Sequence, residues 1–427
     1  MNTSRMISVA LLALVLTTSL QAQIINGRFV TSFYTWEKFD TVGSSKTNLR
    51  AFQAAQVSVA QGDLSFHTYV LGAMNGVNSL GDLGFVRVYT MYARWANIGR
   101  AVDVNVGRQA VYAGAGSGTI DGILARARIY KDQFTVVGYW GSSVRPEYTG
   151  VQKNWHDNSM FGGQIVTTAL QGGRLGVSYM NRRAERDPYW TTRARDTSFA
   201  AVPYYVAPNS EAEQLISGDA SYTLTKMFMV YGRYDYDLYS VQTSRGQVGG
   251  RVSLTQALSL TADYTYRKPR ILYNSIFSAF IANAVSEIEA GVEYSFAPLV
   301  RGFARFGNVT YTDETSQRWT VGVNTGYGSL SYSGSNGYAG ELTSVNLQAA
   351  YPVLNNKLVP NAGVSYASYR LSVDDSRQNA LSVVFGAIVR PVQSFSFDVQ
   401  GQWLANRVYK QDMRLQAKLS YWFSERL

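Results

Sequence analysis

The chain has 427 residues, a formal net charge of +10 and no cysteine. The absence of cysteine excludes disulfides, thiolate metal sites and thioether-linked haem, and two histidines are too few for a zinc site. Tyrosine is unusually frequent, with 30 residues, and this side chain is favoured at membrane–water interfaces. We therefore expect no metal, no cofactor and no nucleic-acid partner.

The first residues predict a secretory signal peptide. Arg5 supplies a positive charge, and residues 7–16 form an apolar run of about ten, too short to span a bilayer as a helix. Small and polar residues follow and end at Ala22, an acceptable cleavage site. We expect residues 1–22 to be removed on export and residues 23–427 to form the mature domain.

The mature sequence alternates between apolar and polar residues in long segments. Each segment has about 9–13 residues, which suits a strand that crosses a membrane at a tilt, whereas strands of soluble proteins average about five or six. The predicted strands are residues 24–36, 48–60, 63–73, 84–96, 101–110, 119–130, 132–141, 158–169, 173–184, 213–224, 227–239, 246–255, 257–267, 286–296, 298–309, 317–326, 328–335, 340–351, 357–368, 379–390, 393–405 and 411–424. The pattern predicts about 22 strands, within a range of roughly 20 to 24.

The predicted connections alternate strictly between short turns and longer polar links. The longer links include residues 37–47, 74–83, 142–157, 185–212 and 268–285. Short periplasmic turns and longer extracellular loops are typical of outer-membrane barrels, and an even number of strands would place both termini in the periplasm. No plug domain is expected, because the first strand begins almost at the predicted cleavage site.

The two faces of the predicted strands differ in polarity. Within residues 286–296, Ile288, Val292 and Phe296 alternate with Glu287 and Glu293. A soluble sandwich would need a second sheet to cover the apolar face, whereas a barrel turns that face to lipid and the polar face to a wet lumen. The sequence therefore predicts an all-β, transmembrane, antiparallel up-and-down β-barrel in the bacterial outer membrane, in contact with lipid and lipopolysaccharide.

Over its mature length the chain resembles the bacterial outer-membrane porin-type barrels. Its last predicted strand alternates apolar residues from Met413 to Phe423 and is similar to the C-terminal signal read by the barrel-assembly machinery. Leu427 and Glu425 depart from the family pattern, which typically ends in Phe. The resemblance implies assembly by that machinery and a channel rather than an enzyme.

A shorter similarity lies further upstream. Gly107-Arg108-Gln109, followed by Asp121-Gly122 and Arg126, looks like a segment of large anion- or polysaccharide-exporting porins. The glycine-rich segment 114–118 between these residues matches no phosphate-binding pattern. We predict that it forms a flexible extracellular turn.

Charged residues on the predicted inner faces are candidates for lining a pore. The basic ones are Arg126, Arg128, Arg174, Arg182, Arg233, Arg251, Arg301 and Arg305; the acidic ones are Asp235, Asp237, Asp263, Glu287, Glu289 and Glu293. Two interpretations stay open. Basic and acidic arcs could create a transverse field that orients solutes, or the charges could pair locally and contribute little. The positive net charge favours mild anion preference, unless much of it lies on loops that face lipopolysaccharide.

The longest predicted loop, 185–212, is a candidate constriction. Such loops are usually functional or disordered, and a barrel of about 22 strands has a lumen wide enough to need narrowing. The candidate residues are Arg186, Trp190, Arg193, Arg195, Tyr204 and Tyr205, which would suit sugar stacking or carboxylate binding. Residues 268–285 could assist by folding inward. A loop that projects outward is the alternative.

The sequence supports no enzyme of the barrel hydrolase class. The nearest match, His156 and Ser159, are three residues apart and so lie on opposite faces of an extended strand. The predicted function is a channel for small hydrophilic solutes, among which the positive net charge favours anions. The alternative is a scaffold that encloses a periplasmic cytochrome or a polymer-export complex. A plugged receptor is disfavoured because no plug sequence precedes the barrel.

Overall fold

The computed structural model describes residues 23–426 except 41–44, 78–83, 146–147, 149–153, 195–200, 226, 281 and 373. The predicted signal peptide lies outside the described residues. Among the residues that are described, no helix is long and apolar enough to cross a bilayer.

The described chain consists of strands joined by turns and loops, with one 3₁₀ turn at Ile276–Ala279. In chain order the strands are β1 (Ile24–Asp40), β2 (Thr47–Gln61), β3 (Leu64–Val77), β4 (Phe85–Ile98), β5 (Val102–Ala113), β6 (Gly116–Ile129), β7 (Phe134–Ser143), β8 (Ser159–Thr167), β9 (Gly173–Arg183), β10 (Tyr189–Ala194), β11 (Ala201–Val206), β12 (Glu211–Thr225), β13 (Phe228–Asp237), β14 (Gln242–Ser253), β15 (Leu258–Arg267), β16 (Val285–Ala297), β17 (Val300–Tyr311), β18 (Glu314–Thr325), β19 (Gly328–Gly337), β20 (Glu341–Ala350), β21 (Leu358–Arg370), β22 (Gln378–Val392), β23 (Phe395–Ala405) and β24 (Tyr409–Arg426).

All strands except β10 and β11 form one closed, antiparallel sheet of 22 strands. Each strand pairs with its neighbours along the chain, and β9 pairs directly with β12. The sheet closes where β1 pairs with β24, in a seam that runs from Ile24 and Arg426 to Asp40 and Tyr409. The predicted barrel of about 22 strands is thus confirmed. Strands β10 and β11 pair only with each other and form a separate hairpin.

The two ends of the barrel differ in their connections. The end that carries both termini, here called the turn end, has tight turns such as Gly62-Asp63 between β2 and β3. The opposite end, here called the loop end, carries the longer links. The predicted strict alternation is wrong. At the loop end, only Gly114-Ala115 and Thr312-Asp313 separate two pairs of strands, and three residues separate β19 from β20 and β23 from β24, whereas seven separate β20 from β21 at the turn end. At the two-residue turns the strands extend beyond their predicted ends.

Within the described residues there is no separate plug domain in the lumen. The segment that enters the lumen is part of the wall itself, namely the loop-end half of the hairpin β5–β6. The apolar residues that are most completely buried lie around this hairpin rather than between two sheets.

Candidate functional site

Each strand of the wall has one apolar and one polar face. On β16, Ile288 and Phe296 are exposed on one face, while Glu287, Glu289 and Glu293 share the other. Exposed apolar side chains recur on the same face of other strands: Phe29, Val106, Val177, Val248, Phe306 and Phe385. Because exposed apolar residues are stable against lipid, this face is the outer one, and the polar face lines the lumen.

The hairpin β5–β6 leaves the wall near the loop end. Pairing of β4 with β5 stops at Met91 and Arg108, and pairing of β6 with β7 stops at Ile120 and Ser143. Beyond these positions the two strands remain paired with each other as far as the tip, Gly114-Ala115. The upper half of this hairpin is therefore free to bend away from the cylinder.

The tip of the hairpin is bound to the far side of the wall. The backbone N–H of Ala115 donates to Ser178 Oγ on β9 at 2.7 Å, and the Gly114 carbonyl accepts from Arg233 Nη2 on β13 at 3.2 Å. Arg182 Nη2 also donates to the Ser117 carbonyl. Because β9 and β13 are the third and fifth wall strands beyond β6, the tip reaches them only across the lumen.

The inserted hairpin builds an apolar core inside the lumen. The hairpin contributes Val111, Ala113, Ala115 and Ile120; the wall contributes Val137, Tyr139, Met160, Met180 and Leu215. The wall residues occupy positions that face the lumen and would ordinarily be polar. Full burial of one large apolar side chain contributes about 1.5–3 kcal/mol, so this core holds the hairpin against the wall.

Two glycines permit the bend. Gly107 on β5 has a φ of +125°, a conformation that other residues rarely adopt, and it pairs with Gly122 on β6. A Cβ at Gly107 would meet the Met91 carbonyl, and one at Gly122 would meet the Trp140 carbonyl. Glycine is required at both positions because neighbouring backbones approach so closely.

An ion pair beside these glycines fixes the bend. Arg108 donates from Nε and Nη2 to the two carboxylate oxygens of Asp121, both at 2.7 Å. Its Nη1 donates to the carbonyls of Val88 at 3.1 Å and Tyr148 at 3.2 Å. Gln109 Nε2 lies on the other face and donates to the Gly122 carbonyl at 3.3 Å. The segment that resembles large exporting porins is thus the hinge of the hairpin.

The structure corrects the prediction for the glycine-rich segment 114–118. It was expected to be a flexible extracellular turn, but its backbone is hydrogen-bonded inside the barrel and Gly114 packs on Ser178. Small residues are needed here because the tip lies directly on wall side chains: a Cβ at Gly116 would meet Tyr139, and one at Gly118 would meet Arg182 and Met160.

A cavity of about 910 Å³ lies on the loop-end side of the hairpin and is here called the vestibule. The hairpin contributes Tyr112 to its lining, and the segments on either side contribute Arg145, Arg182, Arg186 and Phe277. The loops after β9 and β15 meet beside it, where Asn274 Nδ2 donates to the Asn209 carbonyl at 3.4 Å. The vestibule combines cationic and aromatic side chains at the mouth of the lumen.

The predicted basic residues all lie on the inner faces of their strands. These are Arg126 and Arg128 on β6, Arg174 and Arg182 on β9, Arg233 on β13, Arg251 on β14, and Arg301 and Arg305 on β17. Arg182 and Arg233 lie under the hairpin and hold its tip. Arg301 and Arg305 lie on the opposite arc, where their side chains are half exposed.

The predicted acidic residues also face inward, and most have a basic partner on the same strand or two strands away. Glu293 is within 3.0 Å of Arg251, and Glu287 and Glu289 both pair with Arg318. Asp235 pairs with Arg233 at 2.9 Å. Asp263 accepts from Tyr231, and Asp237 accepts the backbone N–H of Tyr239 at 3.0 Å. The charges are therefore locally paired rather than separated into a basic and an acidic arc.

The predicted constriction residues of loop 185–212 lie mainly on the hairpin β10–β11. Trp190 packs on Tyr205 with ring centroids 5.1 Å apart, and Arg193 lies 3.9 Å from the ring centre of Tyr204. These aromatic side chains are exposed. Arg186 lines the vestibule, and Arg195 lies outside the described residues. A constricting role of this loop stays a prediction, and the hairpin that the structure places in the lumen is β5–β6.

A second histidine–serine pair was missed in the sequence. Ser65 and His67 are two residues apart on the inner face of β3, with Ser65 Oγ 2.9 Å from His67 Nε2, and the imidazole stacks on Tyr92. No described carboxylate hydrogen-bonds this histidine, so the pair lacks the acidic third member of a catalytic triad. Within the described ranges, no group of three or more histidine or acidic residues could hold a metal ion.

Comparison with known proteins gives a match in fold alone. No protein-family model and no curated protein matches the chain. A mutant of the ferric enterobactin receptor PfeA from Pseudomonas aeruginosa is similar in structure, with a TM-score of 0.56, 9% identity, and coverage of 92% of this chain and 80% of the receptor. Pseudomonas aeruginosa OprD aligns with a TM-score of 0.40, 8% identity and coverage of 94% and 95%. Acinetobacter baumannii OccAB3 aligns with a TM-score of 0.38, 9% identity and coverage of 94% and 99%.

The closed antiparallel barrel, with an apolar outer face and a polar inner face, has the fold of transmembrane β-barrels. The sequence prediction of this fold is confirmed. The element that occupies the lumen of this barrel is a hairpin of its own wall.

Proposed function

We propose that this protein is a channel through which small hydrophilic solutes diffuse across the outer membrane, and that the hairpin β5–β6 sets the aperture. In this orientation the turn end and both termini face the periplasm, and the vestibule faces outward, as in other barrels with short periplasmic turns. Diffusion through a wet lumen needs only a continuous polar path of sufficient width, and selectivity follows from pore radius and wall charge.

One observation carries the proposal. The hairpin covers the inner face of the arc from β6 to β13, whereas the inner face of the opposite arc remains open to solvent. On that arc the side chains of Arg301, Arg305 and Arg318 are 57%, 50% and 50% exposed although they point into the barrel. Charged side chains keep such exposure only in contact with water, which supports a wet passage beside the hairpin.

The exposure of the ion pairs supports a preference for anions. In the group around Glu293, the carboxylate side chain is 14% exposed, whereas its three arginine partners are 42–57% exposed. The arginine is also more exposed than its carboxylate partner in the pairs of Arg174 with Asp219 and of Arg233 with Asp235. The short carboxylates lie against the wall and the longer guanidinium groups extend into the lumen. On the open arc, a passing solute therefore meets the arginine partners of Glu293 before it meets the carboxylate.

Ion selectivity in a planar bilayer tests this proposal. Purified protein under a salt gradient is expected to show a steady conductance with a reversal potential of the sign for anion preference. The triple variant R301Q/R305Q/R318Q should shift that potential towards cation preference, because it removes three exposed positive charges and leaves Glu287 and Glu289 without Arg318, whereas Glu293 keeps Arg251. The control R377Q, at the loop-end rim beyond β21, should not. A folded barrel without conductance would contradict the channel, and an unchanged potential in the triple variant would contradict the anion preference.

The scaffold interpretation has no observation in its favour. A barrel that encloses a partner needs that space free, and in this structure the hairpin and its apolar core occupy one arc of the lumen. The purified chain alone is expected to conduct. A barrel that depends on a partner to form its passage would not show this conductance alone.

A further inference from the structure

The bend of the hairpin leaves a cleft in the outer surface of the barrel. Where β5 and β6 turn into the lumen, the wall between β4 and β7 loses two strands at its loop end. The space that remains is a cleft of about 700 Å³, within the ~300–1,000 Å³ that is usual for small-molecule sites. This cleft belongs to the outer face and not to the solute pathway.

The walls of the cleft are apolar and face the membrane. They are formed by Val88, Met91, Val106, Ile123, Trp140 and Trp155. Met91, Val106, Ile123 and Trp140 occupy the outer face of their strands and are exposed, as Val177 is on the smooth wall of β9. The cleft is therefore continuous with the surface that contacts lipid.

The floor of the cleft is polar but offers no unsatisfied charge. Gly107 and Gly122 have no side chains, so their backbone forms part of the floor. The ion pair of Arg108 with Asp121 lies beside this backbone, and the two side chains are 8% and 13% exposed. The guanidinium group gives its N–H donors to the carboxylate and to two carbonyls, so the pair is stable without water. Such a floor is closed to a phosphate or sugar and leaves the apolar walls to define the ligand.

We infer that this cleft binds an acyl chain of an outer-leaflet lipid, and specifically of lipopolysaccharide. The cleft lies at the loop end, which the proposed orientation places in the outer leaflet. Trp140 and Trp155, whose ring centroids are 4.5 Å apart, line the cleft near the loop end, and tryptophan is favoured at the depth of the headgroups. A hydrocarbon chain that fills the cleft replaces the two missing strands on the outside and covers the hinge of the hairpin. The inference rests on the orientation of the barrel in the membrane and not on conduction.

Lipid retention measured by native mass spectrometry tests the inference. Delipidated protein is incubated separately with rough lipopolysaccharide and with dioleoyl phosphatidylethanolamine and then activated until loosely held lipids are lost. The wild-type barrel is expected to retain one molecule of lipopolysaccharide. I123W and V106W, which fill the cleft from two sides, should each reduce the retained fraction at least tenfold. V177W, an equally large change on the smooth outer wall, should leave it unchanged.

The outcomes separate the alternatives. Equal retention by all four proteins, or none by the wild type, would show only ordinary annular lipid and would overturn the inference. Retention of the phospholipid, instead of or as well as lipopolysaccharide, abolished by the same two variants, would overturn the assignment to lipopolysaccharide. Heat-modifiable migration confirms that each variant is a closed barrel. Conductance is measured on the same samples to test the channel proposal separately. A barrel that conducts but retains no lipid would overturn this inference and leave the channel proposal standing.

Discussion

Replacing residues 111–118 by a two-residue Asn-Gly turn is expected to raise the single-channel conductance several-fold. The change removes the tip that crosses the lumen and its contacts with Ser178 and Arg233. It shortens the hairpin to the part that stays near the wall, and Asn-Gly is well suited to a two-residue hairpin turn. Conductance in a planar bilayer measures the effect, and a larger cut-off in a liposome-swelling assay with sugars of increasing size should accompany it.

Removing the outer hairpin provides the matched control. Replacing residues 189–206 by a short Gly-Ser linker deletes β10 and β11, which pair only with each other and carry exposed aromatic residues. We expect the conductance to stay close to that of the wild type. An increase here, with none from shortening β5–β6, would reverse the assignment and make loop 185–212 the constriction.

Replacing Arg108 by methionine is expected to lower the free energy of unfolding by about 3–5 kcal/mol, because it leaves the Asp121 carboxylate without its partner on the membrane side of the wall. Losing the hydrogen bonds to the carbonyls of Val88 and Tyr148 adds to the effect. Urea titration of the barrel in phospholipid vesicles, followed by tryptophan fluorescence, measures the change.

A double variant shows whether the loss comes from the unpaired charge. R108M/D121L removes both members of the pair and should recover much of the stability, since an apolar pair suits a site that faces lipid. R174M, which breaks the pair with Asp219 on the wet inner face, should cost no more than about 1 kcal/mol because its side chain is 42% exposed. Equal losses of unfolding free energy in R108M and R174M would show that the membrane-side ion pair contributes no more to stability than the pair on the wet inner face.

The barrel itself could be predicted from the sequence because its physical causes are local. A strand with lipid on one side and water on the other must alternate, as Ile288 to Phe296 do against Glu287 to Glu293. This alternation also places the predicted arginines on the inner face, although their part in conduction stays a prediction. Strand ends were less predictable, since β1 continues to Asp40 by pairing with β24, a partner that only the closed barrel supplies.

The inserted hairpin was missed because its cause is not local. The glycine-rich tip looks like any flexible turn until Ser178 and Arg233 are known to lie beside it. The sequence did contain one indication of the hairpin. On the inner, otherwise polar faces of consecutive strands, apolar residues lie at similar heights along the barrel axis, namely Val137, Tyr139, Met160, Met180 and Leu215. An apolar patch on a lumen wall predicts that something apolar covers it, and Val111 and Ile120 are its complement.

The short sequence span of the lumen core has a consequence for the order of assembly. All of its members lie between Val111 and Leu215, whereas the seam joins Ile24 to Arg426. Contacts between residues near in sequence form at a lower entropic cost than contacts between distant ones. We therefore expect the hairpin to dock on β7–β12 before β1 pairs with β24. In that position the hairpin would lie on the concave side of the open sheet and set the direction in which the sheet curls.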